Sequence, residues 1–274
     1  MPTLKHISTE HSNLYHPRIV VDHTQPMGTR PYRVDTDRFI KIPYVARAHY
    51  APSIEHPAGS SEYSHKHKNF SVLQQHIIFW DRDRDGVIWP RDTFVGFRDL
   101  GFNVVFSLFA VFVINICFSL PTRLAHSYFP DPFFRVYVSS IHKDKHGSDS
   151  GVYDTEGRFV PCRFEDIFAK YSSKQSSTAP GETLSLREIM HLMHGQRVAV
   201  DPYGWSAAAF EWGTTWLLLQ ENGCIDKEDL RKLYDGSLFY EIREKRKTKE
   251  GWRKGWGLGG DGFVGGVKIL PFSF

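Results

Sequence analysis

The stretch Asp81-Arg-Asp-Arg-Asp-Gly-Val-Ile-Trp-Pro-Arg-Asp92 sets three carboxylates at alternate positions, with a glycine directly after them. Calcium takes about six to eight hard oxygens, and an EF-hand delivers them from fixed positions along one loop. In that frame the ligands are the side chains of Asp81, Asp83, Asp85 and Asp92 and the carbonyl of Val87. Gly86 stands where the backbone must turn with positive φ. Ile88 is then placed for a short β contact with a partner loop. A solvated acidic loop between two helices would need no such regular spacing. Two features weaken the site. Asp92 is one methylene shorter than the usual last-position glutamate, and Arg82 and Arg84 dilute the negative field. A dissociation constant on the order of 10⁻⁵ M or weaker is expected. A second frame, Leu218–Asp229, has Gly223 and Ile225 in matching places but Leu218 and Gln220 where carboxylates are needed. It reads either as a loop that pairs without holding calcium or as an ordinary helix–turn–helix.

Histidine is the other chemistry-bearing type. The chain has 14, eight of them before residue 70 in a stretch without regular pattern, where they read as solvated. His76 lies at the apolar end of the helix that feeds the acidic loop, in Gln-Gln-His-Ile-Ile-Phe-Trp. His146 opens His-Gly-Ser-Asp-Ser, one helical turn after His142, with no third ligand nearby in sequence. Each is a candidate metal or haem ligand, and an ordinary surface or core histidine is the plainer alternative. No Cys-x-x-Cys-His for covalent haem attachment is present, and His191 and His194 read as surface or capping residues.

These residues need elements to position them. Ser71–Trp80 reads as a helix leading into the loop, and a second helix runs to Leu100. Val104–Leu120 is the most apolar run. Its 17 residues would rise ~26 Å as a helix, against a hydrocarbon core of ~30 Å. Asn103, Ser107, Asn115 and Ser119 fall in one arc, opposite Phe106, Phe109, Phe112, Val113, Ile116 and Leu120. The expectation is a helix lying in a lipid interface, polar arc solvated, with a buried core helix as the alternative. Pro121, Pro130 and Pro132 should end it and turn the chain. Phe133–Ser140 looks β-like, and Arg163–Tyr171, Ser185–Gln196, Ala207–Gln220 and Lys227–Tyr234 read as helices, with Ser172–Glu182 as a linker.

The fold class expected is mainly α: EF-hand-like helix–loop–helix units with an apolar membrane-associating helix and a proline-bearing turn. The segments are an extended N-terminal arm (1–68), a calcium-binding unit (69–100), the apolar segment with its turn (101–135), a C-terminal helical domain with the degenerate loop (136–245) and a basic, Gly-rich tail (246–274). Lys+Arg at 34 against Asp+Glu at 31 leaves +3, too even for phosphate neutralisation, so no nucleic-acid partner is expected. Three cysteines without Cys-x-x-Cys spacing argue against a disulfide scaffold and a thiolate zinc site. The polar amino-terminal residues do not read as a secretory signal.

The stretches SVLQQHIIFWDRDRDGVIWPRDTFVGFRDLGFN and IHKDKHGSDSGVYDTEGRFVPCRFEDIFAKY, then DPYGW with the EW after it, then DGSLF, resemble the caleosin family, in its fungal-type members. The resemblance runs from about Arg30 to Tyr240. Caleosins are calcium-dependent haem peroxygenases of lipid droplets. Trp89, Arg91 and Asp92 depart from the family's calcium loop. Pro130 and Pro132 survive from its proline knot, Pro121 is displaced, and Arg135 replaces the last proline.

The resemblance implies haem b coordinated by His76 and His146, which are then also the catalytic residues, and calcium at the acidic loop. It implies oxygen transfer from a fatty-acid hydroperoxide to an unsaturated fatty acid or another acceptor. If both histidines bound iron at once, no position would be left for the peroxide. Either one is displaced or one serves as a distal acid–base group, and both options stay open. The resemblance also implies attachment to the cytosolic face of lipid droplets or endoplasmic reticulum. The competing readings are a non-catalytic calcium-binding structural protein of the droplet surface and a soluble EF-hand sensor. The sensor would need a second working calcium loop.

Overall fold

A computed structural model describes residues 35–173 and 182–247. The start of the arm, most of the Ser172–Glu182 linker and nearly all of the basic tail lie outside those residues. The described chain is mainly helical. In order it runs α1 (Ser61–Lys66), α2 (Val72–Ile77), β1 (Val87–Ile88), α3 (Pro90–Asp99), α4 (Val104–Arg123) and β2 (Val136–Tyr137). A 3-10 stretch (Val138–Asp144), α5 (Pro161–Tyr171), β3 (Thr183–Ser185), α6 (Leu186–Gln196) and α7 (Pro202–Leu219) follow. β4 (Cys224–Asp226), α8 (Lys227–Asp235) and α9 (Ser237–Arg246) complete it. Helix starts follow the local chemistry. Ser71 and Gln74 form a capping box on α2, Ser185 and Glu188 another on α6, and Asn103, Asp201 and Asp226 cap α4, α7 and α8.

Ile88 does make a short β contact, but with Val136 of the returning chain, not with the Leu218 loop. That second loop pairs instead with β3, Ile225 opposite Leu184. So α5–β3–α6 and α7–β4–α8 form a helix–loop–helix pair of their own. The first member of this pair carries no alternating carboxylates and was invisible as an EF-hand-like unit.

Two expectations for α4 need correction. The helix passes through Pro121 and ends at Arg123, 20 residues in all. Pro121 sits in the last turn, where it forfeits a single backbone bond. Thr122 Oγ1 ties that turn by donating to the Phe118 carbonyl at 2.6 Å. The polar arc is not solvated either. Ser107, Asn115, Ser119 and Thr122 are buried, while Val105, Leu108, Phe109 and Phe112 are exposed. Asn115 Nδ2 donates to the Phe134 carbonyl at 3.0 Å, Ser140 Oγ to the Thr122 carbonyl at 2.7 Å, and the Tyr137 N–H to Thr122 Oγ1 at 3.2 Å. The arc serves the returning strand. α3, β2 and the 3-10 stretch cover that side of the helix.

The expected extended arm is not extended throughout: a 3-10 turn (Thr36–Arg38) and α1 interrupt it, and its described part is packed. Gln75 Nε2 donates to the carbonyls of His49, His67 and Phe70 at 2.8, 3.2 and 3.1 Å. Arg231 donates to the Ala51 carbonyl at 2.9 Å. His67, read as solvated, is buried. One apolar cluster joins Phe97 and Phe102 to Phe164, Leu192, Leu230 and Phe239, so the core runs without a break from the α3 region to α9.

Candidate active site and calcium loop

Between α2 and α3 the chain folds its aspartates together. One oxygen each from Asp81, Asp83 and Asp85 lies within 4.8 Å of the others. Asp81 is buried. Its Oδ2 accepts the Gly86 N–H at 3.0 Å, and its Oδ1 has no partner among the described residues. Burial raises the Asp81 carboxyl pKa, the Gly86 N–H opposes this, and Asp85 and Asp83 push it up further. A hard cation relieves both the orphaned oxygen and the mutual repulsion. Gly86 has a φ of +84°, as the frame requires. Val87 lies in β1 opposite Tyr137, and its N–H donates to Asp85 Oδ1 at 2.8 Å. Asp92 stands outside the trio. Its Oδ2 accepts the Trp89 N–H at 3.0 Å at the head of α3.

A largely apolar cavity of about 260 Å³ lies behind this loop, with walls from α2, α3, α4, α7, α8 and α9. His76 and His146 both line it, and His142 does not. His76 Nδ1 is 2.7 Å from the Leu233 carbonyl, so Nδ1 carries the hydrogen and Nε2 keeps its lone pair. Nε2 has no partner among the described residues. Burial lowers the His76 pKa against the pull of that carbonyl, which favours the neutral ring. Gly236, with φ +82°, sets the α8–α9 turn directly on α2. A Cβ there would stand 2.4 Å from the Gln75 carbonyl oxygen and 2.7 Å from His76 Cα.

His146 follows the 3-10 stretch. Its Nε2 lies 3.5 Å from Glu211 Oε1 on α7, and its Nδ1 is buried without a partner among the described residues. The Glu211 carboxylate raises the His146 pKa, against burial. Nearby, the Tyr203 hydroxyl donates to Asp144 Oδ1 at 3.0 Å, and burial pushes the Asp144 carboxyl up to about 7. Ser148 pins this loop. Its Oγ donates to Asp201 Oδ2 at 2.6 Å and accepts the Val198 N–H at 3.2 Å. Asp201 Oδ1 in turn accepts the Gly204 N–H at 2.9 Å. The His-Gly-Ser-Asp-Ser and Asp-Pro-Tyr-Gly-Trp stretches are thus one clamp.

Sequence reasoning missed Glu211, Asp144 and Tyr203. The Glu-Trp pair after Asp-Pro-Tyr-Gly-Trp was visible, but its partner lies in a distant segment. The donor set fits a haem. One imidazole is anchored through its far nitrogen, the walls are largely apolar, and polar atoms without partners among the described residues (Thr93 Oγ1, Thr214 Oγ1, His146 Nδ1) sit on lining residues.

A family model described as caleosin related protein matches residues 68–243. Over 208 residues the chain is 39% identical to a peroxygenase of Lilium longiflorum, covering 76% of this chain and 83% of that one. Over 180 residues it is 38% identical to a probable peroxygenase 4 of Arabidopsis thaliana, covering 65% and 89%. A probable inactive peroxygenase-like protein of Arabidopsis thaliana is 31% identical over 155 residues, covering 56% of this chain and 70% of that one. No solved structure matches the chain.

Proposed function

This chain belongs to the caleosin family and is a calcium-binding peroxygenase, and we propose that the cavity lined by His76 and His146 is its active site. The cofactor is haem b and the oxygen donor a fatty-acid hydroperoxide. The observation that carries this reading is the ring of His76. Its Nδ1–H is committed to the Leu233 carbonyl, and its Nε2 is left free at the cavity. That is the arrangement of a haem-ligating imidazole, whose second nitrogen is held by a carbonyl or carboxylate. When bound, the haem supplies cleavage of the peroxide O–O bond and transfer of one oxygen to the acceptor.

The chain's own residues do the rest. His76 Nε2 would hold the iron, while the Leu233 carbonyl fixes the tautomer and plane of its ring. His146 has its Nε2 engaged by Glu211. It would serve as the acid–base group that moves a proton on the bound hydroperoxide. Phe97, Phe118, Phe210 and Phe239 receive acyl chains, of the hydroperoxide or of an unsaturated acceptor, and keep water out.

Calcium would be held by Asp81, Asp83 and Asp85, which stand together, completed by the Val87 carbonyl and by Asp92, whose Oδ2 meets the Trp89 N–H. Because α2 carries His76 and runs straight into this loop, the ion steadies the helix end that presents the ligand.

Helix α4 fits membrane association, with a mean hydropathy of 2.3 over its apolar window. Its observed length, ~30 Å, no longer argues against crossing. Packing does. One side of α4 is covered by α3, β2 and the 3-10 stretch, whose charged groups would have to enter the bilayer with it. We therefore place the chain lying on the cytosolic face of a lipid droplet or the endoplasmic reticulum. The test is the absorption spectrum of the purified protein. A Soret band with stoichiometric haem is expected, and its absence would favour a non-catalytic calcium-binding structural protein of the droplet surface.

A further inference from the structure

Helices α4 and α7 form one wall of the cavity, and they meet only partly. Near the start of α4, the rings of Phe106 and Phe109 lie 6.4 and 5.9 Å from that of Phe210 on α7. Ile114 and Phe118 of α4 and Phe210, Glu211 and Thr214 of α7 line the cavity. The Glu211 side chain is 49% exposed while that of His146, 3.5 Å away, is 7% exposed. The boundary between the interior and the outside thus passes between these two groups.

The outer rim of this gap on the α4 side is the exposed face of Phe109, Phe112 and Ile116. No charged residue occurs from Val104 to Thr122. A helix that turns its polar residues inward and its phenylalanines outward is built for contact with hydrocarbon rather than water.

We propose that the gap between α4 and α7 is a lateral portal through which acyl chains pass directly from a lipid layer into the cavity, with Phe210 at its edge. The occupant is the hydrocarbon tail of a membrane-dissolved fatty acid or its hydroperoxide. The chain slides around α4, passes Glu211 at the mouth and meets His146 and Asp144 at the inner end. This rests on the peroxygenase reading for the chemistry at that inner end, but the path itself can be followed without turnover.

The experiment uses the full chain, calcium- and haem-loaded, and cis-parinaric acid presented in phosphatidylcholine vesicles. Uptake is read by stopped-flow fluorescence. Ala207→Trp places an indole one turn before Phe210 and Glu211, across the gap. Gly213→Trp places one on the outer rim, where an added Cβ meets no atom within 4 Å. Uptake from vesicles should slow at least ten-fold in Ala207→Trp and stay within two-fold of the parent in Gly213→Trp. Turnover of the small water-borne cumene hydroperoxide should be the same in all three. Phe210→Ala widens the gap and should speed uptake several-fold, which keeps the test open if the first variant folds poorly. Parent-like uptake in a folded Ala207→Trp, or in a folded Phe210→Ala, would overturn the portal. Equal loss of vesicle-borne and water-borne substrate would overturn it too. Failure of the haem reading would show separately, as a missing Soret band with acyl-chain uptake intact.

Discussion

The two histidines differ in what holds the ring. His76 is fixed by a backbone carbonyl and keeps a lone pair; His146 meets a carboxylate. His76→Val should therefore lose the haem, read as the haem-to-protein ratio. His146→Val should keep most of it and lose turnover by a factor on the order of 10²–10⁴, the usual range for a proton-transfer group. Glu211→Gln should keep the haem, lower kcat and displace the acid limb of the pH profile. Equal haem loss in both histidine variants would restore the double-ligand alternative. At the loop, Asp81→Ala combined with Asp83→Ala should abolish the heat of calcium binding, and Asp92→Glu should tighten it, since the longer side chain reaches both ways. The alternating aspartates were legible because ligand spacing is local. Glu211 was not, because its role exists only once α7 is laid beside the His146 loop.

Among the elements, α4 and its return are held by one buried carboxylate. Asp131 accepts from the Tyr137 hydroxyl at 2.5 Å, from Arg135 Nε at 2.9 Å and from the Phe133 N–H at 2.9 Å. Burial would raise its pKa, but these donors outweigh burial and hold it below the usual carboxylate range. A depressed folded-state pKa gives stability that is present above the unfolded value and lost as pH falls through the folded one. Asp131→Asn should cost about 1–3 kcal/mol at pH 7 by urea unfolding, and the difference from the parent should shrink below about pH 4. The outer face of α4 should behave in the opposite way. Phe112 is 64% exposed, so Phe112→Asp should change folding stability by less than about 0.5 kcal/mol. It should also reduce flotation with lipid vesicles by roughly ten-fold or more. The apolar run was plain from its composition, and most helices from their periods. The end of α4 was misjudged because a proline in a last turn costs so little. The direction of its polar arc was misjudged because a period shows which residues share a face, not which face the protein covers.

For the whole molecule, the arm was the least legible part. It lacks any period because its partners are scattered across the chain: Gln75, Phe159, Lys227 and Arg231. The pair of helix–loop–helix units from α5 to α8 was half legible, through the Leu218 frame alone. The core that runs from Phe97 to Phe239 joins the first helices to the last, and this bears on how the protein is made. The carbonyl that fixes His76 belongs to Leu233, 157 positions later in the chain. Synthesis at about 5–20 residues per second puts ~8–30 s between the two. Helix α4 leaves the ribosome well inside that interval, free to settle on lipid while the ring of His76 is still unanchored. The fold itself thereby sets an order: α4 is available to lipid before the last helices can dock against His76.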